Sequence, residues 1–100
     1  MAIVMRFSHP GFTAAKYDET VRRLEEAGAG SPAGRLFHVC FGDDKNNLLV
    51  SDIWDSRESF DKFGETLKPI LEELGIPSGP PQIFEVHNLI EGRKAAASTP

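Results

Sequence analysis

Two neighbouring segments of this chain are rich in β-forming residues and apolar on both of their faces. They are residues 35–41 and 48–54, separated by the polar cluster 42–47, whose composition is typical of a turn. An antiparallel hairpin is the simplest connection between two strands so close in sequence. Because side chains alternate between the two faces of a strand, such a hairpin must be covered on both sides, and few folds provide this.

The register of the hairpin decides which side chains meet across it. If the loop is symmetric and Phe41 lies opposite Leu49, then His38 lies opposite Asp52. One face then carries Leu36, His38, Cys40, Val50, Asp52 and Trp54, with Cys40 opposite Val50 and Leu36 opposite Trp54. The other face carries Phe37, Val39, Phe41, Leu49, Ser51 and Ile53. A shift of one residue would undo this arrangement, so the proximity of His38 and Asp52 depends on the register.

Two helices are predicted, each beginning at a capping residue and ending at a glycine. Thr13 precedes a helix whose apolar side chains recur at spacings of three and four up to Gly28. Ser56 precedes a second helix with Pro69 inside it. Its apolar stripe and terminating glycine are Phe60, Phe63, Leu67, Ile70, Leu71, Leu74 and Gly75. Because proline lacks an N–H and clashes with the preceding turn, we expect this helix to kink or split near residues 64–68.

Strands at 2–7 and 82–90 complete the order strand, helix, strand, strand, helix, strand. This order predicts an α+β, ferredoxin-like βαββαβ fold, in which two helices cover one face of a four-stranded antiparallel sheet. We expect residues 1–92 to form this single domain, and residues 93–100, which lack apolar anchors, to be a mobile tail. Since the helices cover only one face, the apolar second face of the hairpin predicts self-association through the sheet, most simply as a two-fold homodimer.

Composition argues against several classes of partner. The 100 residues carry a formal net charge of −4 and a sequence pI of about 5.3, which offers no basic surface for nucleic acid or anionic lipid. A single cysteine, Cys40, cannot form an intrachain disulfide, and no apolar run predicts a signal peptide or a membrane span, so we expect a cytoplasmic protein. No metal-ligand spacing, phosphate-binding glycine loop or nucleophile elbow is present, and we expect no cofactor and no metal.

Three segments carry a resemblance to a known family: residues 12–18 (Phe-Thr-Ala-Ala-Lys-Tyr-Asp), 34–39 (Gly-Arg-Leu-Phe-His-Val) and 50–60 (Val-Ser-Asp-Ile-Trp-Asp-Ser-Arg-Glu-Ser-Phe). Together they resemble the dimeric α+β barrel superfamily, close to its antibiotic biosynthesis monooxygenase-like group, over roughly residues 2 to 90. The resemblance implies two sheets packed face to face into a barrel. It also implies a ligand cavity in each protomer between the sheet and the helices, with Trp54 facing that cavity.

The superfamily includes cofactor-independent oxygenases of polycyclic phenols, haem-degrading proteins and isomerases, so the resemblance alone implies no single reaction. Haem-degrading relatives use an Asn on the first strand and a His on the second helix. This chain has Arg6, Phe7 and Ser8 near the first position and Phe63 at about the second. Haem degradation is therefore disfavoured.

His38 and Asp52 are the candidate catalytic residues. A carboxylate beside an imidazole sets its tautomer and raises its basicity, which is the arrangement that proton abstraction needs. The alternative is a buried hydrogen bond with a purely structural role. Two ionisable side chains in a half-buried sheet need hydrogen-bond partners whether or not they take part in catalysis.

The candidate substrate-binding residues are Trp54, Tyr17, Arg6 and Phe63. Trp54 and Phe63 would wall the cavity, and Tyr17 would point its phenol into it; the alternative for the tryptophan and the tyrosine is a place in the core. Arg6 would bind an anionic or phenolate ligand, or would instead pair with Glu85 across the sheet.

Three functions are compatible with these patterns. The first is a small cavity enzyme that acts on an aromatic or polyketide-like compound by cofactor-free oxygenation or by proton transfer, including isomerisation. The second is a non-catalytic dimeric module that binds a small hydrophobic or aromatic molecule, and the third is a stress-related or structural dimer with a filled interior. An open pocket lined by His38, Asp52 and Trp54 would favour the first two, and a packed interior would favour the third.

Overall fold

The computed structural model describes residues 1–77 and 79–95. Its six elements follow the predicted order: β1 (Ile3–Ser8), α1 (Ala14–Glu26), β2 (Arg35–Phe41), β3 (Leu49–Trp54), α2 (Arg57–Glu73) and β4 (Gln82–Glu85). All pairings are antiparallel, in a four-stranded sheet of order β2-β3-β1-β4. The predicted ferredoxin-like α+β fold is confirmed. Part of the tail, residues 96–100, lies outside the described residues, so its predicted mobility stays a prediction.

Both helices begin at the predicted capping residue. The Thr13 hydroxyl accepts a hydrogen bond from the Lys16 N–H at 3.1 Å, and the Ser56 hydroxyl accepts one from the Ser59 N–H at 3.2 Å. Each cap satisfies one of the N–H groups that the first turn of a helix leaves without an intrahelical partner. The helix starts are thus determined by local chemistry.

The predicted split of the second helix is wrong. α2 runs uninterrupted over 17 residues and includes Pro69. Pro69 is exposed, whereas Phe63 and Leu71, on either side of it along the helix, are buried in the core, and Leu67 packs against the same core. Packing on both sides of the proline therefore holds the two parts of α2 together, and tertiary contacts outweigh the local cost of the missing hydrogen bond.

The hairpin register is the predicted one except at its open end. His38 lies opposite Asp52, and the pairs from Cys40 to Phe41 also match the prediction. The predicted pairing of Leu36 with Trp54 is wrong, because a β-bulge lies between Arg35 and Phe37 and places Arg35 opposite Trp54. The extra residue of a bulge changes which side chain faces the helices. Leu36 is left 48% exposed.

Strand β4 ends at Glu85 rather than at residue 90. It pairs only with β1, where Glu85 lies opposite Ile3, and the Val86 N–H donates one further hydrogen bond to the Ala2 carbonyl at 3.0 Å. β1 begins at Ile3, so the residues that follow Val86 have no neighbouring strand to pair with.

The core lies between the sheet and the two helices. Ile3, Met5 and Trp54 from the sheet pack against Leu24 of α1 and Phe63 of α2. None of the helices within residues 1–77 and 79–95 is long and apolar enough to cross a lipid bilayer.

The opposite face of the sheet, which we call the outer face, is apolar and uncovered. Phe37, Val39 and Phe84 on this face are 49%, 50% and 55% exposed, and Phe41 is exposed beside them. Aromatic and branched side chains are well suited to a covered sheet surface and poorly suited to water. The apolar second face expected from the sequence is therefore present.

Candidate functional site

A cavity of about 580 Å³ opens between the inner face of the sheet and the two helices. Its volume is in the range of sites that hold drug-sized molecules. The walls are mainly apolar, and their large side chains include Phe7, Phe12, Val21, Phe60, Phe63 and Leu67. Phe63, which was expected in the wall, lines the cavity; its role in binding a substrate remains a prediction. The interior of the protomer is thus open rather than filled.

His38 and Asp52 line this cavity and contact each other. Asp52 Oδ1 lies 2.5 Å from His38 Nδ1, and the Asp52 side chain is only 6% exposed. A carboxylate can only accept a hydrogen bond, so His38 donates Nδ1–H to it and, when neutral, keeps Nε2 as an acceptor. The predicted register and the predicted contact are both observed; a catalytic role for the pair remains a prediction.

Tyr17 extends this pair toward α1. Its hydroxyl lies 2.7 Å from His38 Nε2, and the two rings stack with centroids 5.8 Å apart and planes inclined by only 6°. Since Nε2 accepts, the Tyr17 hydroxyl donates. The result is a continuous hydrogen-bonded chain from Tyr17 through His38 to Asp52, which we call the triad.

A tyrosine phenol is protonated at neutral pH, and the surroundings of Tyr17 raise its pKa further. Burial raises its pKa most, the nearby Cys40 and Asp52 raise the pKa further, and the positive charge of Arg35 opposes them. A neutral phenol next to an accepting imidazole can take a proton on its oxygen while passing its own proton to Nε2. The triad is therefore able to carry a proton from the cavity to His38.

Trp54 does not line the cavity, so the expectation that it forms part of the wall is wrong. The residue is fully buried, at 0% exposure, and packs behind the wall against Phe60 and Phe63, with ring centroids 5.6 and 5.4 Å away. Its indole Nε1–H has no hydrogen-bond partner among the described residues. Trp54 supports the aromatic wall and does not offer its N–H to the cavity.

The prediction that Arg6 binds a ligand in the cavity is wrong as well. Ile3, Met5 and Phe7 of β1 face the core and the cavity, so strand alternation puts Arg6 on the outer face, away from the cavity. Glu85 lies opposite Ile3, three positions from Arg6 along the strand. Arg6 forms no ion pair with Glu85 within the described residues, and it does not line the cavity in which it was expected to bind a ligand.

Arg35 and His9 are among the cavity residues that sequence reasoning missed. Arg35 reaches the cavity because of the bulge, which no residue pattern in the strand indicates. His9 lines the cavity and contacts the Phe12 ring edge-on at a centroid distance of 5.9 Å. Burial lowers the pKa of His9. Within the described residues, no group of three or more His, Cys, Asp or Glu side chains is placed to hold a metal ion.

Comparison with known proteins identifies the fold. No family model matches the sequence, and no curated protein matches it. Among solved structures, it is similar to SnoaB from Streptomyces nogalater, described as a cofactor-independent oxygenase, at 17% identity and a TM-score of 0.59, covering 91% of this chain and 96% of that one. A candidate antibiotic biosynthesis monooxygenase from Deinococcus radiodurans gives 13% identity and a TM-score of 0.58, covering 94% of this chain and 100% of that one.

A third structure, a protein of unknown function from Nitrosomonas europaea, gives 20% identity and a TM-score of 0.54, covering 95% of this chain and 94% of that one. At such identities the likeness concerns the fold, and the chain has the α+β fold of the antibiotic biosynthesis monooxygenase-like proteins. The resemblance seen in the sequence is confirmed at this level.

Proposed function

We propose that this protein is an enzyme that removes a proton from a small aromatic or polyketide-like compound bound in the cavity, and that it acts as a cofactor-independent oxygenase or as an isomerase. The observation that carries the proposal is the triad, which joins a phenol in an apolar cavity to a half-buried imidazole and a buried carboxylate. An acid–base chain at the wall of a cavity large enough for a ligand is the expected arrangement for proton transfer.

The proton follows the triad. A phenolic or enolic hydroxyl of the substrate gives its proton to the Tyr17 oxygen while Tyr17 gives its own proton to His38 Nε2. The Asp52 carboxylate, bonded to Nδ1, stabilises the imidazolium that forms. The electron-rich substrate anion then reacts with dioxygen at a ring carbon that carries hydrogen: this carbon gains one oxygen atom and the phenol becomes a quinone. The second oxygen atom leaves as water with the displaced ring hydrogen and the proton that His38 had accepted, which returns His38 to its neutral form. In an isomerisation the same proton returns to another atom of the substrate, without dioxygen.

A non-catalytic binding module is the second candidate. It is favoured by the fact that His38 Nε2 already has a partner in Tyr17, so the triad satisfies its own polar groups without a ligand. The apolar cavity is compatible with both an enzyme and a binding module. The third candidate, a dimer with a filled interior, is not supported, because the protomer contains a cavity of about 580 Å³.

We also propose that two copies associate through the outer face. The support is the apolar surface formed by Phe37, Val39, Phe41 and Phe84, which the helices of the same chain do not cover. Packing two such faces together would remove these side chains from water.

The test of activity is a screen of phenols and quinols for dioxygen uptake, combined with NMR detection of proton exchange at substrate carbon in D2O. Purified wild type is compared with His38→Gln, which keeps a polar side chain beside Asp52 but cannot act as a base at neutral pH. His87→Gln is the matched control, because His87 is exposed and does not line the cavity. We expect His38→Gln to lower the rate by about 100-fold or more.

Two results would contradict the proposal that the protein is an enzyme. Equal rates in wild type and His38→Gln would remove the base from the mechanism. Compounds that bind in the cavity with neither dioxygen uptake nor proton exchange would favour the binding module instead.

A further inference from the structure

Arg35 is the half-buried cation of the cavity. It stands at the first position of β2, opposite Trp54, and faces inward only because the bulge at Leu36 shifts the alternation of the strand. Without the bulge, Leu36 would occupy this place and the end of the cavity would be apolar. Bulges are frequent beside active sites, where they redirect a side chain.

The backbone before Arg35 is fitted closely to the start of α2. A Cβ atom on Gly34 would lie 2.4 Å from the Ser59 hydroxyl oxygen, and the Gly34 carbonyl accepts a hydrogen bond from the Asp55 N–H at 2.8 Å. Gly34 also has a φ of +88°, in the region that glycine adopts without strain. The position from which Arg35 enters the cavity is thus held by tight packing and by a hydrogen bond.

The guanidinium of Arg35 is held in place as well. Its carbon lies 5.5 Å from the centroid of the Phe63 ring, over the ring face, and Nη2 donates to the Gly30 carbonyl at 3.2 Å. These contacts use one of its five N–H donors and provide no negative charge. The remaining donors are available to a ligand.

The carboxylates that line the cavity are engaged elsewhere. Asp52 accepts from His38, and Asp61 accepts from Arg57 at 3.1 Å. Arg35 forms no ion pair within the described residues. Its charge nevertheless acts on the site, because it opposes the upward shift in the pKa of Tyr17. A cation that is partly removed from water, without an anion beside it, is favourable for binding an anionic ligand.

We propose that Arg35 binds a carboxylate of the cavity ligand, and therefore that the ligand is an aromatic acid. The aromatic part of this inference rests on the proposed function; the acidic part rests on Arg35. The planar fork of a guanidinium matches a carboxylate with two parallel hydrogen bonds, and the Phe63 ring beside it provides an apolar surface for the ring that carries the carboxylate.

The experiment compares two probes that differ in charge but hardly in shape, 2-naphthoate and 2-naphthamide, by isothermal titration calorimetry. For wild type we expect the carboxylate to bind about tenfold or more tightly than the amide. In Arg35→Gln the affinity for the carboxylate should fall until the ratio approaches one, with the amide changing about twofold or less. Arg35→Lys keeps the charge but loses the fork, and it should retain part of the preference.

Arg22→Gln is the matched control. It makes the same change in side chain and net charge, but Arg22 lies on the far side of α1, paired with Glu19 and Glu26, outside the cavity. The ratio of the two affinities should not change in this variant. Circular dichroism and the melting temperature show whether each variant is folded, and the wild-type ratio tests the proposal even if Arg35→Gln does not fold.

The outcomes separate this inference from the proposed function, since neither probe has a hydroxyl that His38 could deprotonate. Equal binding of the two probes to wild type would overturn the acid specificity and leave the proposed enzyme untouched. A preference for the carboxylate that survives in Arg35→Gln would overturn the role of Arg35. If neither probe binds, the inference that the ligand is an aromatic acid is wrong.

Discussion

Tyr17 bonds to His38, which in turn bonds to the buried Asp52. Asp52 is almost completely buried, and His38 is flanked on both ring nitrogens, so the Tyr17 hydroxyl is the member of the triad on which a proton from a ligand arrives first in the proposed reaction. Its protonated state is therefore decisive: a phenolate at this place could not donate to Nε2. Burial maintains the protonated form by raising the pKa of Tyr17.

Since Tyr17 is the only tyrosine of the chain, its titration can be followed directly. We predict that the tyrosinate absorbance of the native protein develops at a pH above the ordinary tyrosine pKa of 10.0, and above the midpoint of the same protein in denaturant. As the pH rises past 10, the unfolded chain loses this proton first, so the free energy of unfolding falls until the native Tyr17 has also ionised.

The matched variant is Tyr17→Phe, which has no phenolic proton. The part of the alkaline loss of stability that comes from Tyr17 should be absent in this variant, whereas the contribution of Cys40, whose pKa burial also raises, should remain. A native midpoint at or below that of the unfolded chain would contradict the burial of the phenol and the geometry of the triad.

At the level of single elements, α2 shows how packing overrides local preference. Pro69 removes the N–H that would bond to the Glu65 carbonyl, yet the helix continues to Glu73 because Phe63 and Leu71 are buried on either side. The stability of the protein therefore contains an unfavourable contribution at Pro69. The same α2 supplies Phe60, Phe63 and Leu67 to the cavity wall, so its continuity also shapes the site.

We predict that Pro69→Ala stabilises the protein. Alanine restores the hydrogen bond and removes the clash, and the free energy of unfolding in urea should rise by about 1 to 3 kcal/mol. Glu72→Ala, at another exposed position of α2, is the control and should change it by less than about 0.5 kcal/mol. An unchanged or lower stability of Pro69→Ala would show that the proline fits the helix without cost.

For the molecule as a whole, the outer face is the surface that its own helices leave uncovered. Along β2, the side chains on this face alternate with the inward-facing His38 and Cys40. The same strand therefore contributes every second side chain to the helix side of the sheet and the others to the outer face. An association through this face would place a second sheet behind each site without closing either cavity, because the cavities lie on the helix side.

We predict that the wild type sediments as a homodimer at micromolar concentration and that Phe37→Glu shifts it to monomer or prevents folding, because a charge would be desolvated between the two sheets. Ala15→Glu, which adds the same charge at an exposed position of α1, should remain a dimer. A monomeric wild type, or a well-folded dimer of Phe37→Glu, would contradict the proposed interface.

Local patterns were sufficient for the helix caps, the order of the elements and the contact between His38 and Asp52. Capping depends on one side chain and the next few N–H groups, and a strand register follows from alternation once the turn is placed, so neighbouring residues contain this information. The apolar outer face follows from the same alternation.

The bulge at Leu36 and the hydrogen bond from Tyr17 to His38 depend on contacts between residues distant in sequence. The bulge turns Arg35 inward in place of Leu36, and it lies next to the close fit of Gly34 against Ser59, which is 25 positions later in the sequence. The alternation of side chains along a strand cannot predict such a bulge. The same holds for the bond from Tyr17 to His38, which needs α1 laid across β2 at one particular angle. Strand periodicity tells which residues share a face, but the neighbours of a side chain depend on how helices and sheet pack, and that is a property of the folded chain.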